Sequence, residues 1–117
     1  MNSEIFFYLG LSAMLIHEMD AVRCKEWRIF PGLSLLNDNW GFRLFMIAHV
    51  PLFCLLFWGL MAEGNPAQLK FGLDIFFIVH VGLHVLFLKH KKNEFKDLAS
   101  WTIILSAGLF GLLDILI

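Results

Sequence analysis

Charge is what this chain has least of. Asp, Glu, Lys and Arg make up 16% of its 117 residues, against 59% apolar residues. A soluble domain of this length has too little interior to hide that much apolar surface, so the composition excludes an ordinary soluble fold and implies a membrane protein. Cysteine is scarce as well. Cys24 and Cys54 have no metal-type spacing, and they fall at different expected depths, which argues against a disulfide. The opening Met-Asn-Ser-Glu carries no basic segment and no legible cleavage site, so the first apolar run is expected to be retained as a helix. Internal repeats and low-complexity segments are absent, and the net charge of −1 says little. No nucleic-acid partner is expected; the expected environment is the lipid bilayer.

Long hydrophobic runs are what the chain has in abundance. Four stand out, at about Ile5–Val22, Phe42–Met61, Leu69–Leu88 and Leu98–Ile117. Each has roughly the 17–25 residues that cross the hydrocarbon core as a helix. Lipid offers the backbone no hydrogen bonds, and these runs are too long and too evenly apolar for barrel strands. The expected fold is therefore all-α: one transmembrane domain over residues 1–117, a four-helix bundle in up-down order. Gly64, Asn65 and Pro66 mark a short turn between the second and third helices. The first connection, about 23–41, is too long for a hairpin. With Pro31-Gly32 and Asn37-Asp38-Asn39 as turn signals and Leu33, Leu35 and Leu36 between them, it is expected to lie at the interface.

Eight of the nine basic residues flank the first and third connections: Arg23, Lys25, Arg28, Arg43, Lys89, Lys91, Lys92 and Lys96. Only Lys70 falls on the other side. The positive-inside bias makes the first face cytoplasmic and both termini outward. Trp27, Trp40 and Trp101 near that face, and Trp58 near the other, fit an aromatic belt.

Four of the five histidines, His17, His49, His80 and His84, lie inside the apolar runs. Ionisable groups are costly there and mark function when they occur. Threading the helices puts all four at depths of roughly 6–12 Å from the cytoplasmic boundary, taking 1.5 Å per residue. His80 and His84, one turn apart, share a helix face and can reach one ion. Glu18 and Asp20 lie at the same level. Asp20 shares a face with His17, whereas Glu18 points about 100° away from it. Imidazoles with carboxylates suit a divalent transition metal, zinc or iron foremost, with His17, His49, His80 and His84 as candidate ligands. Glu18 and Asp20 are then candidate catalytic groups that shuttle protons to and from a metal-activated water. A bis-histidine haem between His49 and His80 or His84 is the alternative cofactor, and a non-enzymatic accessory or transport subunit the alternative role. Buried histidines can also simply tie helices together. On the fourth helix, Ala107 and Gly111 form a small-xxx-small pair that suits either packing within the monomer or a homo-oligomer seam.

His17-Glu18-Met19-Asp20-Ala21, Glu26-Trp27-Arg28, His49-Val50-Pro51, Asp74 and His80-x-x-x-His84 together resemble a group of small bacterial four-helix membrane proteins of unknown function. The resemblance spans nearly the whole chain and implies a bacterial inner-membrane location, with no activity attached. Through its HxxxH pair the chain also resembles, more loosely, membrane zinc hydrolases of the ceramidase and progestin-receptor type. Those have seven helices where this chain has four, and by analogy they imply hydrolysis of a lipid-like substrate.

Overall fold

A computed structural model describes residues 4–62 and 66–117. Four long helices carry the chain: α1 (Glu4–Arg23), α2 (Asp38–Met61), α3 (Ala67–Leu86) and α4 (Leu98–Leu116). All four are long and apolar enough to cross a membrane, and no strand occurs among the described residues. The protein is an all-α membrane protein. Gly64 and Asn65, expected to turn the chain between α2 and α3, lie outside the described residues.

The helix ends follow from local chemistry. Asn37 caps α2 by accepting from the Trp40 backbone N–H, which starts that helix four residues before its apolar run. Asp97 caps α4 in the same way, accepting from Ser100. At the end of α1, Lys25 adopts the left-handed conformation, with φ of 54°, and reverses the chain. Two short 3₁₀ turns follow, Glu26–Arg28 and Leu33–Leu35. α2 continues as one helix through Pro51. Within α4, Thr102 and Ser106 donate to the carbonyls of Leu98 and Thr102, so their hydroxyls are satisfied without water.

Ion pairs show which helix ends share a level. Arg23, ending α1, reaches Asp97 before α4, and Arg28 joins Asp38 on α2 to Glu94 ahead of α4. At the far end Lys70 of α3 bonds Glu4 of α1 at 2.8 Å. The helices therefore run up and down, with the basic connections gathered at one end.

Packing is uneven. α1, α3 and α4 form the tight part of the bundle, joined chiefly through α4. Small residues make that possible. A Cβ on Gly111 would stand 2.9 Å from the Asp74 carbonyl oxygen, and one on Gly108 would stand 2.5 Å from Val81. Ala107 is fully buried in the same seam, so the small-residue surface of α4 is used within the monomer against α3. By contrast, α2 buries only Gly41 and Phe45. Trp27, expected in an aromatic belt, turns inward and lies against Gly41, whereas Trp40 and Trp58 are exposed. It docks the first connection onto the start of α2.

Candidate metal centre

His17 sits six residues before the end of α1, and His80 and His84 occupy successive turns of α3. The close contact of α1, α3 and α4 brings the three rings together. The His17 ring lies edge-on to those of His80 and His84, with centroids 4.5 and 4.9 Å away. The Nε2 atoms of His80 and His84 are 3.2 Å apart. Two nitrogens bound to a tetrahedral zinc at 2.0–2.1 Å would be separated by about 3.3 Å, so this pair already stands at ligand spacing.

The fourth donor comes from outside the helices. Once Lys25 turns the chain back, Glu26 points its carboxylate at the same place, with Oε2 3.7 Å from His17 Nε2. One donor atom from each of His17, Glu26, His80 and His84 lies within 4.8 Å of the others, and the group can hold a metal ion. Its imidazoles are buried. His17 is fully buried, His80 and His84 are about 95% buried, and Phe95 packs against both His17 and His84. Three buried ring nitrogens have no hydrogen-bond partner: Nδ1 and Nε2 of His17, and Nδ1 of His80. An unsatisfied buried polar atom costs about 1–3 kcal/mol, so the bare cluster is a costly arrangement. A cation accepting imidazole lone pairs would relieve part of it.

Residues 3–117 match the model of a family described as of unknown function, DUF6713. The chain belongs to that family. No curated protein and no solved structure matches it.

The remaining polar residues of this DUF6713 chain divide into distinct groups. His49 on α2 stands apart from the cluster of four. Its Nδ1 lies 2.6 Å from the Phe45 carbonyl and its Nε2 lies 2.7 Å from Glu18 Oε2. Glu18, turned away from His17 as the helical angle requires, faces α2 and closes this second pair. Asp20 turns to α4. It accepts from Arg23 at 2.7 Å and from the Ser100 hydroxyl at 2.5 Å, and Arg23 also donates to Ser100. Cys24 is buried next to this network, where desolvation raises its thiol pKa, and Cys54 is exposed. Both cysteines are free thiols. At the far end Asp74 is buried, one of its carboxylate oxygens lacks a partner, and it lines a small cavity with Asp114, Glu4 and Lys70.

A cavity of about 510 Å³ opens beside the centre. Glu18, Glu26, His49, His80 and His84 share its lining with apolar residues of α2, α3 and the first connection. The carboxylate and imidazoles of the centre thus face a space large enough for a small molecule.

Glu26 is the donor that sequence reasoning did not select. It lies beyond the last residue of α1, where helical angles no longer say which way a side chain points. The available signal was its place in Glu26-Trp27-Arg28, a charged-aromatic-charged step directly after a membrane helix.

Proposed function

We propose that this protein is a membrane metalloprotein in which His17, His80, His84 and Glu26 bind one divalent transition metal, zinc or iron foremost, and that it hydrolyses a lipid-like substrate. The observation that carries the reading is the convergence of three buried imidazoles, two of them with orphaned nitrogens, upon one carboxylate. Three neutral histidines and one anionic oxygen make a donor set suited to such an ion. When bound, an ion of this class lowers the pKa of a coordinated water towards neutrality.

The chain's own residues supply the rest. Phe95 shields the rings from one side, while the cavity admits substrate from the other. Glu18 and His49 handle protons at the cavity wall. Asp20, held by Arg23 and Ser100, fixes the end of α1 against α4, so that His17 and Glu26 keep their relation. The basic end of the bundle faces the cytoplasm by the positive-inside bias, which sets the centre in the inner-leaflet half of what we read as a bacterial inner membrane. A haem between His49 and His80 or His84 would have to break the bond from His49 to Glu18 and so gains no support.

Metal analysis of protein purified in detergent without chelator tests the reading. One equivalent of zinc, iron or manganese is expected, lost in the His80→Ala, His84→Ala double variant. Cobalt substitution should give the visible absorption of a tetrahedral site. Substoichiometric metal in every preparation, with unchanged stability of the double variant, would overturn it.

A further inference from the structure

The large cavity has a chemical character that narrows what it accepts. Its walls are α2, α3 and the Ile29–Leu33 stretch, and most of its lining is apolar. Its polar groups gather as Glu18, His49, Glu26, His80 and His84. Among the described residues, no lysine or arginine lines it. The nearest arginine on the first connection, Arg28, is held by Asp38 and Glu94. Apart from the ion proposed above, whose charge Glu26 offsets in part, an anionic headgroup would therefore meet two carboxyl groups and no cationic side chain, in surroundings of low dielectric.

The Glu18–His49 pair fixes a second property. A backbone carbonyl only accepts, so His49 Nδ1 must carry a hydrogen and donate it to Phe45. Nε2 then faces Glu18 Oε2 at 2.7 Å, and two bare lone pairs would repel at that distance. One proton must lie between them, on the nitrogen or on the oxygen. Glu18 retains a second oxygen able to accept, and the bond to His49 holds its carboxyl group at the cavity wall. Such a pair suits a group that is itself an uncharged hydrogen-bonding donor and acceptor.

Access is lateral. α2 and α3 meet only over a short stretch, and Ala48 and Leu52 of α2 are exposed although they line the cavity. In a membrane that opening faces hydrocarbon.

We propose that this cavity binds an uncharged single-chain amphiphile, with a long-chain amide or alcohol as the ligand class. The chain lies between α2 and α3, and the head meets Glu18 and His49. Of the two, only the amide carries a bond that the hydrolysis proposed above could cleave, giving an acid and an amine. The amide is therefore the substrate class of that metal centre and the alcohol an unreactive ligand; this rests on that reading for turnover, but not for binding.

The test uses the full chain in nanodiscs and a long-chain amide bearing a diazirine in its tail. Photolabelling should map to Leu52, Phe76 and Leu83. Ala48→Phe, which fills the cavity from an exposed position, should cut labelling by about tenfold, equivalent to roughly 1.4 kcal/mol. An unlabelled long-chain alcohol should compete, and an alkyl phosphate of the same length should not. The competition arm needs no variant, so it stands even if Ala48→Phe folds poorly. Labelling spread over the outer faces of all four helices, or equal competition by the phosphate, would overturn the proposal. Repeating the labelling on chelator-treated protein separates the two readings. Retained labelling there would show that binding does not depend on the ion, and together with substoichiometric metal in protein purified without chelator it would sink the metal centre and leave this site standing.

Discussion

Substituting Gly41 by alanine should unseat the connection that carries Glu26. The added Cβ would stand 2.4 Å from Trp27 Cδ1 and 3.1 Å from Cγ and Nε1, inside any tolerable contact. Trp27 has nowhere to retreat. It is 4% exposed, its Nε1 donates to Asp38 at 3.1 Å, and its ring packs on Phe42 and Phe45. Overpacking of this kind costs about 1–3 kcal/mol. Because Glu26 is the neighbour of Trp27 in the same short turn, relief of the clash must displace the carboxylate. Two changes should therefore appear together: a lower midpoint in unfolding by mixed dodecyl sulfate micelles, and zinc or cobalt affinity weakened by at least about tenfold, or roughly 1.4 kcal/mol. Gly72 and Gly82 provide matched controls, since a Cβ on either meets nothing within 4 Å. Alanine there should be neutral or stabilise by up to about 1 kcal/mol through helix propensity. If Gly41→Ala unfolds at the same midpoint as Gly72→Ala with unchanged metal affinity, the docking of the first connection by Trp27 is refuted.

Three further expectations can be checked in the same preparations. Glu26→Gln keeps the shape of the donor and removes its charge, so metal affinity should fall while unfolding of the metal-free protein stays nearly unchanged; equal affinity would remove Glu26 from the centre. Phe95→Ala should destabilise by about 3 kcal/mol, because a ring only 1% exposed is deleted from between His17, His84 and the Trp27 cluster, and a change under 1 kcal/mol would mean that the ring is not packed there. Asp97 caps α4, and its hydrogen bonds with Ser100 hold its pKa below the ordinary 3.8. Its contribution is therefore complete above that value and is lost as pH falls through the lower folded value, so the stability gap between the native protein and Asp97→Ala should close in acid and stay constant from pH 5 to 7.

The helices were legible because membrane solvent imposes one rule on every residue of a span. Hydrophobic length alone located all four to within two residues at each end, apart from the start of α2, which the Asn37 cap places four residues earlier. The HxxxH pair was legible for the same local reason, since two residues one turn apart on a helix must share a face. Beyond that range sequence reasoning weakens. Depth placed His49 level with the other three histidines, but depth says nothing about azimuth, and in the structure α2 offers His49 to Glu18. The 100° between His17 and Glu18 was readable, and it is what sends one residue to the cluster and the other to α2. Glu26 was not readable, because its direction depends on a left-handed Lys25 and on Trp27 finding the one glycine of α2 that leaves room for it. Those are tertiary facts, and they decide the fourth donor.

The origin of that fourth donor shapes how the centre must behave. His17, His80 and His84 ride on helices that the α4 seam locks together, so their spacing is set whether or not an ion is present. Glu26 rides on a turn held by Trp27 against Gly41 and by Arg28 between Asp38 and Glu94. The same turn, continued through Ile29 and Phe30, forms one wall of the large cavity. An ion that draws in the Glu26 carboxylate therefore also pulls on that wall and on the start of α2. By linkage, whatever the ion contributes to seating the turn, a seated turn returns as tighter binding of the ion. A ligand in the cavity that presses on Ile29 or Phe30 enters the same balance. On that reading the proposed metal site, first connection and cavity form one coupled unit built on the closely packed α1, α3 and α4, with α2, which buries only Gly41 and Phe45, as the least constrained part.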